Sequence, residues 1–150
     1  MVLLGQNQNW QDRARQEVLQ VFGSNKPDFD GLTHLKVVTM ILLEVLRLYP
    51  AVDVISRTTQ KKNTTWEILI TTWSPNRVIN TAHYHHDKEL WGDDANEFKP
   101  ERFSEGVSKA TKSQLSFFPF GAGPRICIGQ NFAYDGSKIG LGFDLATLYL

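Results

Sequence analysis

A broad apolar stripe along residues 35–49 constrains the fold more than any other feature of the sequence. It comprises Leu35, Val38, Ile41, Leu42, Val45, Leu46 and Tyr49. This helical spacing predicts a core helix from Thr33 to Leu48, and Pro50 ends it by disfavouring helical geometry at the preceding residue. Glu44 and Arg47 lie beside the stripe and three positions apart, so one helix face can join them through a carboxylate–guanidinium contact. A surface ion pair is the alternative, although a charge beside an apolar stripe needs a partner.

A second amphipathic pattern predicts an earlier helix from Trp10 to Phe22. Asn9 is the expected N-cap, and Gly23 is the expected stop signal. A loop containing Pro27 and Gly31 is predicted to connect the two helices.

The rest of the chain has weaker periodicity. Residues 51–81 are rich in Thr, Val, Ile and Trp, which predicts short strands with a turn at Ser74-Pro75-Asn76. Residues 82–129 are predicted to be loops, with one helical turn around Asp87 to Trp91. A final helix begins at Gln130, and its three internal glycines weaken it. The expected fold class is mainly α with a small β region (α+β).

Composition excludes several classes of protein. The 150 residues include 16 Lys and Arg against 16 Asp and Glu, so the net charge is zero and nucleic acid is not an expected partner. The single cysteine, Cys127, excludes an intrachain disulfide framework and a zinc site made of cysteines alone. No apolar run approaches the roughly 18 residues of a membrane helix, and Met1–Leu4 lacks the features of a signal peptide.

The segment from Phe117 to Gly129 carries the lone cysteine between glycines, which are Gly121, Gly123 and Gly129. Glycine backbone can adopt positive φ and approach a bulky partner closely. Amides freed from regular pairing can stabilise a Cys127 thiolate, while Arg125 adds positive charge or binds an anionic group. With Phe120 as apolar cover, the pattern predicts a cysteinate presented to a metal. A small buried hydrophobe is the alternative for a lone cysteine.

Four histidines leave a zinc site open as a second metal hypothesis. His83 and His85 would share one face of a strand, and His86 or Cys127 could complete the site. No ligand spacing typical of zinc proteins supports it.

Three motifs occur in order and resemble one family. The segment Phe120-Gly121-x-Gly123-x-Arg125-x-Cys127-x-Gly129 looks like the haem-ligand signature of cytochrome P-450 monooxygenases. Glu44-x-x-Arg47 and Pro100-Glu101-Arg102-Phe103 resemble two further motifs of that family. The sequence around residues 85–100 is similar to that of plant microsomal members, particularly the secologanin-synthase-like group.

The resemblance implies haem b as the cofactor and Cys127 as the axial ligand of its iron, where the thiolate favours O–O cleavage. Phe120 would pack near the sulfur, and Gly129 belongs to the same signature. Arg125, Arg57 and His85 would contact the haem propionates. For Arg57 and His85, a solvated surface position is the alternative.

The resemblance also implies a structural network of Glu44, Arg47 and Arg102 that locks the loop of Cys127. Residues 1–150 would form the carboxyl-terminal part of one incomplete cytochrome P-450 domain. Intact members insert one atom of molecular oxygen into a small apolar substrate, with NADPH supplying electrons through NADPH–cytochrome P-450 reductase. They reside on the cytosolic face of the endoplasmic reticulum membrane, whereas a chain without the anchor could be cytosolic.

Two stretches depart from the family pattern. Residues 60–82 lack the usual Pro-x-Gly turn, and the helix after Ala133 carries glycines in place of an Ala/Leu-rich sequence. The distal helix with its acid–alcohol pair is not represented, so no catalytic proton donor is assigned. The alternative function is therefore a truncated, non-catalytic remnant or interaction module with weak or no haem binding.

Overall fold

The computed structural model describes residues 1–23, 25–58, 76–111 and 116–147. Within these ranges the helices are α1 (Val2–Gln6), α2 (Gln8–Phe22), α3 (Phe29–His34), α4 (Lys36–Leu48), α5 (Thr81–His85), α6 (Lys88–Trp91), α7 (Val107–Ala110) and α8 (Gln130–Thr147). Strands β1 (Val54–Thr58) and β2 (Asn76–Asn80) and two 3-10 turns (Pro100–Phe103 and Gly123–Arg125) complete the elements. The predicted fold class, mainly α with a small β region, is confirmed.

The main core lies where α2, α4 and α8 contact one another. Its buried side chains come from these helices, from α1 and α3, and from the residue between α3 and α4; they are Leu4, Trp10, Ala14, Val18, Phe22, Leu32, Leu35, Val38, Ile41 and Leu145. Helices α2 and α4 each bury one apolar face, whereas α1, α3 and α8 each add a single buried core residue. No helix in the described ranges is long and apolar enough to cross a membrane.

Helix α2 ends where the sequence predicts but begins earlier. Gly23 has φ +57°, and its N–H donates to the Leu19 carbonyl at 2.9 Å, so the predicted stop is confirmed. The predicted N-cap at Asn9 is wrong, because the helix already begins at Gln8. Asn7 precedes it, and its side-chain amide donates to the Leu3 carbonyl at 2.8 Å instead of capping α2.

Helix α4 ends at the residue predicted from Pro50, but it begins at Lys36 rather than Thr33. The preceding segment forms the separate helix α3, whose N-cap Asp28 accepts a hydrogen bond from Gly31 N–H at 2.8 Å. Gly31 is therefore helical, and the predicted loop at this residue is wrong. Tyr49 is 64% exposed and lies outside the buried stripe.

The start of α4 is capped from a distant residue. The Glu17 carboxylate accepts hydrogen bonds from the N–H groups of Lys36 and Val37, each at 2.8 Å, and of Val38 at 3.0 Å. These are orphan donors of the first helical turn, and a carboxylate there also interacts favourably with the helix dipole. Glu17 thereby fixes α2 to the beginning of α4.

Strands β1 and β2 pair antiparallel, with Val54 opposite Asn80 and Thr58 opposite Asn76. The predicted strands are confirmed over these two spans, but Asn76 belongs to β2 and not to a turn. Ser74, Pro75 and the expected strand through Trp66 and Trp73 lie outside the described residues.

The segment after β2 is more helical than expected. Asn80 caps α5 by accepting a hydrogen bond from His83 N–H at 3.0 Å, so a helix replaces the predicted loop. The predicted turn at Asp87–Trp91 is confirmed as α6, where the Asp87 carboxylate accepts from Glu89 N–H at 2.7 Å. The long helix predicted from Gln130 is also confirmed, because α8 runs unbroken past its glycines.

Candidate functional site

The side chains of Glu44 and Arg47 form a buried ion pair on α4. Arg47 Nε donates to Glu44 Oε2 at 2.8 Å, and Nη2 donates to Oε1 at 2.9 Å. Both side chains are 0% exposed. The alternative of a surface ion pair is therefore wrong. In a buried pair, each charge is stabilised by its partner, and removing one residue leaves the other charge uncompensated.

Arg47 also connects α4 to the loop-rich part of the chain. Its Nη1 donates to the carbonyl oxygens of His85, at 2.8 Å, and of Ala95, while Nη2 donates to that of Glu97 at 3.1 Å. These three carbonyls come from segments without sheet pairing to satisfy them. A single guanidinium thus organises the backbone between positions 85 and 97.

Arg102, from the 3-10 turn at 100–103, joins the same pair. Its Nε lies 3.4 Å from Glu44 Oε1, and its Nη1 lies 3.2 Å from Asp94 Oδ1. Lys99 N–H donates to Glu44 Oε1 at 2.9 Å. The three residues predicted to form a network therefore lie together, with Arg47 and Arg102 on the same carboxylate.

Asp94 is a member of this cluster that the sequence analysis missed. Its carboxylate binds Lys99 Nζ at 2.7 Å and the Arg102 guanidinium at 3.2 Å. The hydrogen bond from Lys99 and the charge of Arg102 lower the pKa of Asp94, which keeps it ionised. Residues 92–99 form neither a helix nor a strand, so the spacing of Asp94 and Arg102 has no periodicity from which the sequence could indicate the contact.

Cys127 lies in an irregular loop that two glycine conformations shape. Gly121 and Gly123 have φ of +77° and +78°, values that residues with a Cβ rarely adopt. The loop closes where Cys127 N–H donates to the Phe120 carbonyl at 2.9 Å, and Gly121 N–H donates to the Phe118 carbonyl at 2.9 Å. The predicted irregular loop is present.

The Cys127 thiol is exposed, so a buried structural cysteine is wrong for this position. Helix α8 begins three residues later, and its N-terminus favours a negatively charged sulfur nearby. Exposed apolar side chains surround the loop, with Ile128 fully exposed and Phe132 85% exposed. A cysteine sulfur among solvent-facing apolar groups suits a large apolar ligand better than a small hydrophilic one.

The other residues predicted to bind the cofactor differ in their surroundings. The half-buried Phe120 ring packs edge-on against Tyr134 of α8, with ring centroids 5.2 Å apart. Arg125 is exposed at the end of the 3-10 turn, and a Cβ added at Gly129 would lie 3.8 Å from the Cys127 sulfur. Arg57 belongs to β1, but its side chain lies outside the description.

His85 is fully buried, which overturns both expectations for it. Its Nε2 accepts a hydrogen bond from Phe118 N–H at 3.2 Å, and its ring stacks on Phe117 with centroids 5.4 Å apart. Burial, with a further contribution from the Arg47 charge, lowers the pKa of His85 to about 4. A ring with no accessible surface offers no contact to a propionate, and it is not a solvated surface group.

The zinc alternative requires His83 and His85 to share one face of a strand. This arrangement is wrong, because both residues lie on helix α5. His86 points its Nε2 to the Leu48 carbonyl at 3.0 Å. Across the described residues, no three His, Cys, Asp or Glu side chains are grouped as metal ligands.

A family model and the curated relatives of this chain indicate the same family. The family model described as Cytochrome P450 matches residues 1–145. Cytochrome P450 72A397 of Kalopanax septemlobus is 59% identical over 97% of this chain and 28% of the relative. The 11-oxo-beta-amyrin 30-oxidase of Glycyrrhiza uralensis is 54% identical over 99% of this chain and 30% of the relative. The chain thus spans less than a third of the length of these curated relatives.

Proposed function

The chain belongs to the cytochrome P450 family, and from that premise we propose that it binds haem b with Cys127 as the axial ligand of the iron. The observation that carries the proposal is the exposed Cys127 sulfur in a loop closed by its own N–H on the Phe120 carbonyl. A backbone-held thiolate beside the N-terminus of α8 is a suitable soft, anionic ligand for iron.

The surroundings of Cys127 fit the shape and polarity of haem. Ile126, Ile128 and Phe132 lie within five residues of Cys127 in the chain and expose apolar side chains, which match the apolar face of the macrocycle. Arg125 is exposed two residues before the ligand and has the charge and reach to bind a propionate. We assign the second propionate contact to Arg57, and we withdraw His85 from this role because it is buried.

The Glu44–Arg47–Arg102 cluster has a structural part in this proposal. Arg47 binds the backbone at His85, and the His85 ring in turn binds the backbone at Phe118, two residues before the loop of the thiolate. The cluster thereby holds the platform from which the Cys127 loop projects. None of its members faces the exposed sulfur, so we assign it to positioning and not to catalysis.

When bound, a thiolate-ligated haem supplies oxygen activation, because electron donation from sulfur favours O–O cleavage. We infer that the protein acts as a monooxygenase on a small apolar molecule, with electrons from NADPH delivered through NADPH–cytochrome P450 reductase. The related 11-oxo-beta-amyrin 30-oxidase supports an apolar substrate. We infer residence at the endoplasmic reticulum membrane from the resemblance of the chain to plant microsomal members of the family.

The direct test is the carbon monoxide difference spectrum of the haem-reconstituted, dithionite-reduced chain. We expect a strongly red-shifted Soret band that disappears in Cys127→Ala. His83→Ala is the matched control, because it removes an exposed potential iron ligand outside the loop. A wild-type chain without the band, or a band that survives in Cys127→Ala, would overturn thiolate ligation.

A second candidate function is a non-catalytic interaction module, and the exposed apolar side chains favour it. Phe132 and Phe143 lie on the outer surface of α8, and Ile128 lies just before that helix. Apolar surface of this kind promotes association. Oligomers on size-exclusion chromatography, without haem uptake, would support this module. Reductase-dependent NADPH oxidation coupled to product formation would support the enzyme.

A further inference from the structure

His85 connects the buried ion pair to the segment before the cysteine loop, with its carbonyl oxygen bound to Arg47 and its ring bound to the backbone of Phe118. Its carbonyl oxygen accepts from Arg47 Nη1 at 2.8 Å. Its ring nitrogen Nε2 accepts from Phe118 N–H at 3.2 Å. One buried residue thus links α4 to the segment that leads into the loop of Cys127.

The hydrogen bond to Phe118 fixes the protonation state of the ring. A nitrogen that accepts a backbone N–H carries no proton, so the neutral ring has its proton on Nδ1. Nδ1 is buried, and its N–H has no hydrogen-bond acceptor of ordinary geometry among the described residues. The ring stays in place through its aromatic neighbours, being stacked on Phe117 and edge-on to Trp91.

The contact continues toward the cysteine through the next turn of backbone. Phe118 uses both of its peptide groups, because its N–H donates to His85 and its carbonyl accepts from Gly121 N–H at 2.9 Å. Within that turn, the Phe120 carbonyl accepts from Cys127 N–H at 2.9 Å. The position of the Phe118 peptide therefore determines where the carbonyl that holds Cys127 is located.

We propose that His85 is a positioning residue for the thiolate ligand: its unprotonated Nε2 anchors the Phe118 peptide and thereby holds the Cys127 loop in its ligand-presenting conformation. The thiolate part of this statement rests on the proposed function of Cys127. The role differs from a haem contact, since the His85 ring binds a backbone N–H of this chain and not a propionate. It also differs from plain core packing, which a phenyl ring would satisfy equally well.

The first test is amide hydrogen exchange and imidazole nitrogen NMR on the full 150-residue chain without haem. In the wild type we expect a protected Phe118 amide and a His85 ring protonated on Nδ1. His85→Phe keeps an aromatic ring but removes the acceptor, so the Phe118 and Cys127 amides should both exchange about tenfold faster. His85→Gln offers an amide oxygen near the position of Nε2 and should restore much of the protection.

The matched control is His86→Phe, which removes the neighbouring contact to the Leu48 carbonyl and none to the cysteine loop. It should leave exchange at Phe118 and Cys127 unchanged. A His85 proton on Nε2, an unprotected Phe118 amide in the wild type, or unchanged Cys127 exchange in His85→Phe would each overturn the proposal.

A second measurement separates this proposal from the proposed function. In haem-reconstituted samples, His85→Phe should lower the fraction of bound haem that gives the thiolate-type carbon monoxide band, and His85→Gln should restore it. A band fraction unchanged in His85→Phe would count against positioning of the ligand. If the wild type gives no such band, thiolate ligation fails, while the exchange data still decide whether His85 holds the loop.

Discussion

Glu44 and Arg47 neutralise each other with no access to solvent, through two hydrogen bonds of 2.8 and 2.9 Å between fully buried side chains. Removing either partner leaves an uncompensated charge in the interior, where the penalty far exceeds that at the surface. Arg47→Ala also releases the carbonyls that the guanidinium holds.

We therefore expect Arg47→Ala to lower the free energy of unfolding by about 3–5 kcal/mol, measured by urea denaturation followed by circular dichroism. The control is Arg13→Ala, which removes a half-exposed ion pair with Glu101 at 3.4 Å. That change also removes the guanidinium from its place over the Trp10 ring, 4.0 Å from the centroid, and the two contacts together should cost less than about 2 kcal/mol. Equal losses in the two variants would contradict a special role for the buried pair.

The Glu17 carboxylate should stabilise α4 through three backbone N–H groups. Glu17→Ala leaves these donors without their acceptor, and we expect a loss of about 1–2 kcal/mol in the free energy of unfolding. Gln16→Ala, an exposed neighbour on α2, is the control and should have little effect. A Glu17→Ala chain as stable as the control would show that water replaces the carboxylate at no cost.

His85 should make the stability of the protein depend on pH below neutrality. Its pKa falls from an ordinary 6.5 to about 4 on folding, so the unfolded chain binds the proton first as the pH decreases. The stability is intact above pH 6.5, declines as the pH falls toward 4, and levels off below that value. The full loss from this one group is about 3 kcal/mol.

The measurement is the free energy of unfolding between pH 7.5 and 4 for the wild type and for His85→Gln. Other histidines and carboxylates titrate in both chains, so the difference between the two curves isolates His85. We expect the free energy of unfolding to fall more steeply in the wild type than in His85→Gln as the pH decreases. Parallel curves would indicate that the buried ring titrates normally.

Glycines in the cysteine loop and in α8 should respond oppositely to alanine. Gly121 has φ +77°, so Gly121→Ala should destabilise the chain by about 1–2 kcal/mol and reduce haem uptake. Gly136 lies in the middle of α8, and a Cβ added there has no atom within 4 Å. Gly136→Ala should stabilise the chain by about 0.5–1 kcal/mol. Thermal unfolding of both variants checks the two signs, and a shift in the same direction would contradict the assignment.

Sequence patterns predicted the parts of the fold that local chemistry controls. Pro50 determined the end of α4 and Gly23 the end of α2, because each acts on the backbone of its own segment. The irregular loop around Cys127 was likewise predictable from its glycines. The three-residue spacing of Glu44 and Arg47 indicated their pairing, although it gave no measure of their complete burial.

Contacts between distant segments account for what the sequence analysis missed. The sequence predicts a loop at Gly31, yet this residue is helical, and the Phe22 ring packs against it so closely that a Cβ would overlap the ring. Glu17 caps a helix that begins 19 residues later, and no local pattern encodes that distance. The resemblance implies a propionate contact for His85, whereas its burial depends on aromatic side chains at positions 91 and 117, outside its own segment.

The three carbonyl groups bound by Arg47 set a limit on how this part of the chain can change. They belong to His85, Ala95 and Glu97, and one rigid guanidinium contacts all of them. Side chains between these positions can be replaced while the backbone path is preserved. An insertion or deletion of even one residue there would move a carbonyl away from its donor, so this stretch should tolerate changes of residue but not of length.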